Sequence, residues 1–313
     1  MLKTAFVFPG QGSQSVGMAK SFYDSFDTAK AAFEEASGVM GLDMARLCFE
    51  GPEELLGRTE YTQPALLTAS IATLRVLFEK TSFRPSFFAG HSLGEYTALV
   101  ASGALDFKEA VRLVHLRGVF MQESVPAGAG KMCAIIGLSL SDVQVICDSA
   151  SIDTAQVVPA NINSPEQIVI SGSAAAVDIA AGMAKDRGAR MVVPLQVSAP
   201  SHSPLMENAA VRLEKELDKL TIKDPATPVY TNVEAEPVAT GARIKELLCL
   251  QLTNPVRWVD IVRKMKADGA GTIVEVGPGK VLTGLVKRID KDINTLNLKE
   301  AADLEKVLGA LGA

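Results

Sequence analysis

Short apolar runs alternate with longer segments of helical periodicity along most of this chain. Residues 4–8 and 87–89 are short, apolar and rich in aromatic side chains, which predicts buried strands. Residues 66–80 and 107–123 carry apolar side chains at helical spacing. The alternation predicts an α/β protein whose helices pack on a sheet.

Proline residues indicate where some of the helical segments begin or are interrupted. The Gln63-Pro64 pair is predicted to interrupt the helical periodicity of residues 28–80, because an interior proline removes a backbone hydrogen bond. Ser203 is predicted to cap a helix that begins at Pro204, since proline suits the first helical position.

The pattern of predicted helices and strands changes after a linker rich in Gly, Ala and Pro at residues 125–130. The order strand–helix–strand–strand–helix–strand follows, which is the split βαβ order of a ferredoxin-like domain. We therefore predict an inserted ferredoxin-like subdomain at residues 125–197, within a large domain formed by residues 1–124 and 198–313. The predicted elements are strand 132–138, helix 141–149, strands 157–162 and 167–171, helix 174–187 and strand 190–195.

Composition and charge exclude several classes of protein. The 313 residues carry a net charge of −5 and no basic run, which argues against nucleic acid as a partner. No apolar stretch approaches the ~20 residues that span a bilayer, and the apolar start of the chain is too short for a signal peptide. The cysteines are widely spaced, which predicts reduced thiols, no metal site and a cytoplasmic protein. They are Cys48, Cys133, Cys147 and Cys249.

A Gly-x-Ser-x-Gly motif centred on Ser92 stands between a predicted strand and a predicted helix. This is the context of a nucleophile elbow, in which Gly90 and Gly94 remove the Cβ atoms that would clash at a sharp turn. The amides at the helix start would then face an oxyanion formed at Ser92. The alternative is an ordinary turn bounded by glycines.

Arg117 lies on the apolar face of the helix predicted at residues 107–123. A buried guanidinium needs an anion, and no acidic residue stands at a helical neighbour position to supply one. Its partner is therefore either a distant carboxylate of the protein or the carboxylate of a ligand, for which arginine has the suitable planar geometry.

The three histidines of the chain allow a choice of base for Ser92 by elimination. His91 is adjacent to Ser92 in an extended segment, so its side chain points elsewhere. His115 and Arg117 are two apart on a helix and face different ways. His202, in a turn before a predicted helix, is the best placed, although a lone loop histidine is usually exposed.

Five motifs, in the right order over essentially the whole chain, resemble the malonyl-CoA:acyl-carrier-protein transacylases of bacterial type II fatty acid synthesis. They are FPGQGSQ (8–14), GHSLGEY (90–96), PSH (200–202), NPVRW (254–258) and GPG (277–279). The resemblance implies an α/β-hydrolase-like core with a parallel sheet, an inserted ferredoxin-like domain and an active site between the two. It implies malonyl-CoA as substrate and the phosphopantetheine of acyl carrier protein as acceptor. It implies no tightly bound cofactor and no membrane as a partner. We expect a monomer.

The resemblance also assigns roles to residues. It places the nucleophile on Ser92, the base on His202, and the group that orients this histidine on Gln251, through its main chain or its side chain. The implied carboxylate-binding residue is Arg117. The remaining implied roles are the oxyanion-hole amides of Gln11 and Leu93 and the acyl-pocket side chain of Met121. A neutral glutamine in place of the usual aspartate would make a weaker base, and we hypothesise that this protects the acyl ester from hydrolysis.

Two other readings of the sequence stay open. A serine hydrolase or thioesterase of related fold would use the same nucleophile, and Asp268 resembles the acidic partner of serine in patatin-like lipases. A non-catalytic scaffold that binds carrier protein or coenzyme A is the other reading, but Ser92, His202, Arg117 and Gln251 together argue against it.

Overall fold

The computed structural model describes residues 3–196 and 199–312. Within them, ten strands form two separate sheets, surrounded by α-helices. The strands are β1 Lys3–Phe8, β2 Phe87–Gly90, β3 Gly130–Ile136, β4 Val157–Ser164, β5 Gln167–Ser173, β6 Met191–Pro194, β7 Val229–Tyr230, β8 Pro237–Val238, β9 Ala270–Val276 and β10 Asn294–Leu298. The α-helices are α1 Lys20–Ser25, α2 Asp27–Met40, α3 Met44–Glu50, α4 Glu53–Leu56, α5 Thr59–Lys80, α6 Leu93–Ala101, α7 Phe107–Glu123, α8 Leu140–Ala150, α9 Ala174–Asp186, α10 Glu207–Leu217, α11 Gly241–Gln251, α12 Trp258–Ala267, α13 Val281–Ile289 and α14 Leu304–Leu311.

The larger sheet has the strand order β10-β9-β1-β2-β7-β8, and all of its pairings are parallel except that of β7 with β8. Apolar side chains of its two faces pack into two separate clusters, one with α12 and α13 and the other with most remaining helices. Phe8 of β1 is in register with Gly90 of β2, so the loops that follow these strands meet at one edge of the sheet. The predicted α/β architecture with a parallel sheet is confirmed.

The smaller sheet is antiparallel, with the order β4-β5-β3-β6, and it buries its own cluster of apolar side chains against α8 and α9. Its elements, β3-α8-β4-β5-α9-β6, follow the predicted order strand–helix–strand–strand–helix–strand. Val256, from the segment before α12, joins this sheet to the rest of the molecule. Its N–H donates to the carbonyl of Ala160 at 2.9 Å, and its carbonyl accepts from Ile162 at 2.9 Å. The domain boundary predicted at residues 197 and 198 lies outside the described residues.

The predicted break at Gln63-Pro64 is wrong, because α5 continues through Pro64. A proline at this position leaves the carbonyl of Glu60, four residues earlier, without its helical donor. Nδ1 of His115 on α7 takes that place, at 2.8 Å from the carbonyl oxygen. A residue distant in sequence therefore satisfies the backbone group that the proline would leave unpaired.

Ser203 precedes a helical turn that begins at Pro204, as predicted, but its side chain makes no capping hydrogen bond. The first turn after Ser203 is a 3₁₀ turn, Pro204–Met206, and α10 follows it. The hydroxyl of Ser203 donates to the carbonyl of Pro200 at 2.6 Å, so it tightens the preceding turn and does not cap the helix.

Candidate active site

Ser92 stands at the sharp turn between β2 and α6, with a φ of 50° and a ψ of −106°. A non-glycine residue in this region is strained by roughly 1–3 kcal/mol, which the surrounding structure must offset. A Cβ atom on Gly90 would lie 1.9 Å from the backbone of Gly94, and one on Gly94 would lie 2.1 Å from the carbonyl oxygen of Phe8. The two glycines of the motif therefore allow the strand and the helix to approach this closely.

Asn232, which follows β7, holds both sides of this turn. Its Oδ1 accepts from the backbone N–H of Ser92 at 2.7 Å, and its Nδ2 donates to the carbonyl of Gly90 at 2.7 Å. The side chain is fully buried. Sequence reasoning missed this residue, because nothing in its local pattern indicates a contact with a motif 140 positions away.

His202 lies beside Ser92, in the left-handed region with a φ of 60°. Its Nε2 is 2.8 Å from the Ser92 hydroxyl oxygen, and its Nδ1 is 2.7 Å from the backbone carbonyl of Gln251. The carbonyl accepts only, so Nδ1 carries the proton and Nε2 is free to accept one from Ser92. Burial, with the charge of Arg117, lowers the pKa of His202 to about 3, so the ring is neutral at physiological pH.

The other two histidines point away from Ser92, as the elimination argument expects. His91 contacts the Asn163 side chain of β4 through Nε2 at 2.8 Å. His115 binds the carbonyl of Glu60. His202 is therefore the histidine within hydrogen-bond distance of the serine.

Arg117 is buried, with 1% of its surface exposed, and points from α7 towards Ser92. Its Nη1 donates to Oε1 of Gln63 at 2.8 Å, and its Nη2 donates to the hydroxyl of Ser92 at 3.2 Å and to Oε1 of Gln251 at 3.0 Å. Its Nε has no partner among the described residues. All three acceptors are uncharged, so no carboxylate of the described residues pairs directly with this cation.

Gln251 contacts His202 through its main chain. The side-chain amide points elsewhere: Nε2 donates to the carbonyl of Ser92 at 3.1 Å and to Oε2 of Glu95 at 2.7 Å, while Oε1 accepts from Arg117. The expectation that the glutamine side chain stands in place of an aspartate beside the histidine is therefore wrong. The group in that place is a peptide carbonyl, which is neutral whatever residue carries it. The hypothesis that a neutral partner of the histidine protects the acyl ester from hydrolysis stays a prediction.

A small cleft of about 90 Å³ opens over Ser92. Gln11 from the loop after β1 and Leu93 at the start of α6 border it, as does the buried Met121 of α7. Met132 and Asn161 reach it from the antiparallel sheet, so both sheets contribute walls. The full lining is Gln11, Thr59, His91, Ser92, Leu93, Arg117, Met121, Met132, Asn161, Leu195, Ala199, Ser201 and His202.

Asp268, the acidic residue of the patatin-like alternative, does not contact Ser92. It ends α12, where its carboxylate accepts from the Tyr230 hydroxyl at 2.5 Å and pairs with Lys264 at 3.0 Å. In the part of the chain that the structure describes, no group of three or more His, Cys, Asp or Glu side chains could hold a metal ion. The same residues include no helix long and apolar enough to cross a membrane.

A serine in a strained elbow next to a neutral histidine is the arrangement of enzymes that carry acyl groups on serine, and the cleft above it has an additional buried cation. The fold and the site thus define a serine-dependent acyl-transfer enzyme. The sequence profile of the acyl transferase domain matches residues 5–311. The chain belongs to the acyl transferase family, in its group of malonyl CoA-acyl carrier protein transacylases.

Three known proteins show the extent of this similarity. The malonyl CoA-acyl carrier protein transacylase of Bacillus subtilis is 46% identical over 311 residues, which cover 99% of this chain and 98% of that protein. The crystal structure of an acyl carrier protein S-malonyltransferase from Vibrio cholerae matches with a TM-score of 0.95 and 46% identity, over 97% of this chain and 99% of the other. A third structure, a type II PKS acyl-carrier protein in complex with its malonyl-transacylase, matches with a TM-score of 0.96 and 44% identity, over 98% and 99% of the two chains.

Proposed function

We propose that this acyltransferase moves the malonyl group of malonyl-CoA to the phosphopantetheine thiol of acyl carrier protein, through a malonyl ester on Ser92. One observation carries the proposal: the Ser92 hydroxyl lies 2.8 Å from a neutral imidazole and 3.2 Å from a buried guanidinium. The nucleophilic oxygen thus lies within hydrogen-bond distance of both a base and a cation that can bind a carboxylate. The names of the relatives, which describe malonyl transfer with acyl carrier protein, support the same reaction.

The first half-reaction would begin with transfer of the Ser92 proton to Nε2 of His202 as the serine oxygen attacks the thioester carbonyl. The Gln251 carbonyl stabilises the imidazolium that forms, because it accepts from Nδ1. We assign the oxyanion to the backbone amides of Gln11 and Leu93, which border the cleft on either side of the serine. His202 then returns the proton to the sulfur of coenzyme A as the carbon–sulfur bond breaks.

The second half-reaction would run the same steps in reverse order. His202 takes the proton of the phosphopantetheine thiol, the sulfur attacks the ester carbonyl, and the serine oxygen regains the proton as it leaves. No redox step or metal ion is needed, since the protons and electron pairs balance between the two thiols and Ser92. We expect no tightly bound cofactor for this reason.

We assign the distal carboxylate of the malonyl group to Arg117, and the wall of the acyl pocket to Met121. In this site the guanidinium donates to neutral oxygens, and its Nε–H has no partner in the part of the chain that the structure describes, so a ligand carboxylate would give it a charged partner. The sequence left open whether Arg117 pairs with a carboxylate of the protein or of a ligand. Its hydrogen bonds to uncharged acceptors favour the carboxylate of a ligand.

Arg117→Ala is expected to reverse the acyl preference. Loading by malonyl-CoA should fall by about 10²- to 10³-fold, because a buried charge-assisted pair is worth several kcal/mol, while loading by acetyl-CoA should be maintained or increase. Competition between the two thioesters, read by the mass of the acyl-enzyme, measures the change. Arg112→Ala, on an exposed face of the same helix, is the matched control. An unchanged preference in Arg117→Ala would remove this residue from the acyl site.

We also propose the finer description of the fold: an α/β-hydrolase-like core of residues 1–124 and 198–313 and an inserted ferredoxin-like subdomain of residues 125–197. The strand order of the antiparallel sheet and its separate apolar cluster support the insertion. The parallel sheet with a serine at the turn after β2 supports the core. A monomeric state and a cytoplasmic location stay predictions of the sequence.

The function is tested by intact mass spectrometry of the protein after mixing with malonyl-CoA, followed by addition of holo acyl carrier protein. We expect one malonyl adduct, which the carrier protein removes while it gains the same mass. An adduct removed only by water would indicate the hydrolase or thioesterase alternative. No adduct with malonyl-CoA or any other acyl-CoA would indicate the non-catalytic scaffold.

A further inference from the structure

Glu95 is a buried carboxyl group close to Ser92 that the proposed mechanism does not use. It lies in the first turn of α6 with 2% of its surface exposed. Its Oε2 accepts from the backbone N–H of Asn232 at 3.0 Å and from Nε2 of Gln251 at 2.7 Å. Burial raises the pKa of Glu95 to about 7, against the effect of these two hydrogen bonds and of the nearby Arg117 charge.

The amide of Gln251 connects this carboxyl group to the buried arginine. Its Nε2 faces Glu95 and its Oε1 accepts from Arg117 at 3.0 Å. A carboxylate accepts hydrogen bonds but does not donate them, so an ionised Glu95 fixes the direction of the amide. Glu95 is also the carboxylate whose charge acts on Arg117. A cation and an anion are thus separated by one neutral side chain in a water-poor site, where charges interact strongly.

We propose that Glu95 is a positioning residue that determines acyl specificity: through the Gln251 amide, its negative charge partly offsets that of Arg117 and limits how tightly the arginine holds an acyl carboxylate. The inference rests on the proposed function, since it concerns a malonyl group at the same site. When the malonyl carboxylate arrives, two anions share one cation, and their repulsion weakens binding of the malonyl group but not of an uncharged acyl group.

The test is Glu95→Gln, which keeps an acceptor at the same position and removes the charge. At pH 8 we expect the KM for malonyl-CoA to fall by roughly three- to tenfold and the KM for acetyl-CoA to stay within about twofold. A purely structural role of Glu95 would instead change both thioesters alike. Glu275→Gln is the matched control, because Glu275 is also fully buried but accepts from the backbone of Leu282 and Thr283 at the start of α13. It should leave the ratio of the two KM values unchanged.

A second measurement needs no variant and remains available if Glu95→Gln does not fold. In the native protein, Glu95 is mostly protonated at pH 6.5 and mostly charged at pH 8, because its pKa is about 7. The KM for malonyl-CoA, divided by that for acetyl-CoA, should therefore rise over this range. The other titratable groups around the elbow keep their charge state: Arg117 and Tyr96 stay protonated, His91 and His202 stay neutral, and the Cys249 thiol of α11 has its pKa raised to about 11 by burial.

The outcomes separate this inference from the proposed function. If the native protein forms no malonyl adduct, the proposed function fails. If it does form the adduct, but the KM ratio is flat with pH, or Glu95→Gln raises or does not change the KM for malonyl-CoA, then only the role of Glu95 is overturned.

Discussion

Ser92→Ala is expected to abolish the covalent acyl adduct and to lower the transfer of malonyl groups by at least about 10⁴-fold. The hydroxyl oxygen of Ser92 is the atom that lies within hydrogen-bond distance of both His202 and Arg117. An alanine at this position leaves the cleft and the arginine in place but no nucleophile. Binding of the thioester should therefore persist while the chemical step is lost.

The measurement is intact mass after exposure to malonyl-CoA, with binding of the thioester followed by calorimetry. Ser201→Ala is the matched control: Ser201 also borders the cleft, but the hydrogen bond of its hydroxyl goes to the carbonyl of Ala199, at 3.4 Å. It should form the adduct. A full-mass adduct on Ser92→Ala would show that another residue is the nucleophile.

His202→Ala is expected to lower the rate of acylation by about 10³- to 10⁶-fold, the range for removal of the base from a serine–histidine pair. Without the imidazole, the Ser92 proton has no acceptor, and the neighbouring guanidinium can only donate. Asp268→Ala is the control and should retain activity, because Asp268 pairs with Lys264 and Tyr230. The opposite result, an active His202→Ala and an inactive Asp268→Ala, would favour the patatin-like dyad.

The pH dependence of acylation gives a second readout of the same base. The neutral form of His202 accepts the proton, so activity is lost only as the pH falls through its folded pKa. Because burial and Arg117 lower that pKa to about 3, the rate of acetyl loading should stay level from pH 8 down to about pH 5. A rate that halves near the ordinary histidine pKa of ~6.5 would show that the ring is solvated and titrates freely.

The parts of the site that could be predicted are those with a local signal. Gly90 and Gly94 mark the elbow because the close approach they allow occurs within four residues of chain. Arg117 stands out because helical periodicity alone shows a charge on an apolar face. His202 followed from the small number of histidines, and the contact at 2.8 Å agrees with that choice.

The parts that could not be predicted are contacts between segments far apart in sequence. Gln63 lies in the predicted helix break, yet α5 continues through it and directs its amide to Arg117. Glu95 meets both Asn232 and Gln251 only because three elements converge behind the elbow. The buried carboxylate of Glu95, in the apolar stretch after Ser92, carried the same kind of signal as Arg117 and could have been found by the same argument.

A sequence motif also cannot say which part of a residue acts. Gln251 was expected to orient the histidine through its main chain or its side chain, and the carbonyl oxygen makes that contact. The backbone position depends on where α11 ends, which propensity alone locates poorly. Likewise, β8 and β10 are short strands, and their pairing partners in the sheet decide their structure. The helix α12 is different, because its buried side chains recur at helical spacing and could have been predicted.

The bridge at Val256 has a consequence for how the cleft recognises its substrate. The two backbone hydrogen bonds of this residue attach the antiparallel sheet to the segment before α12. The contact of His91 with Asn163 attaches the same sheet to the residue next to Ser92. A hinge-like opening of the cleft would break all three. We therefore expect the walls of the cleft to be in place before the substrate binds, so that the cleft would discriminate between acyl chains by their shape.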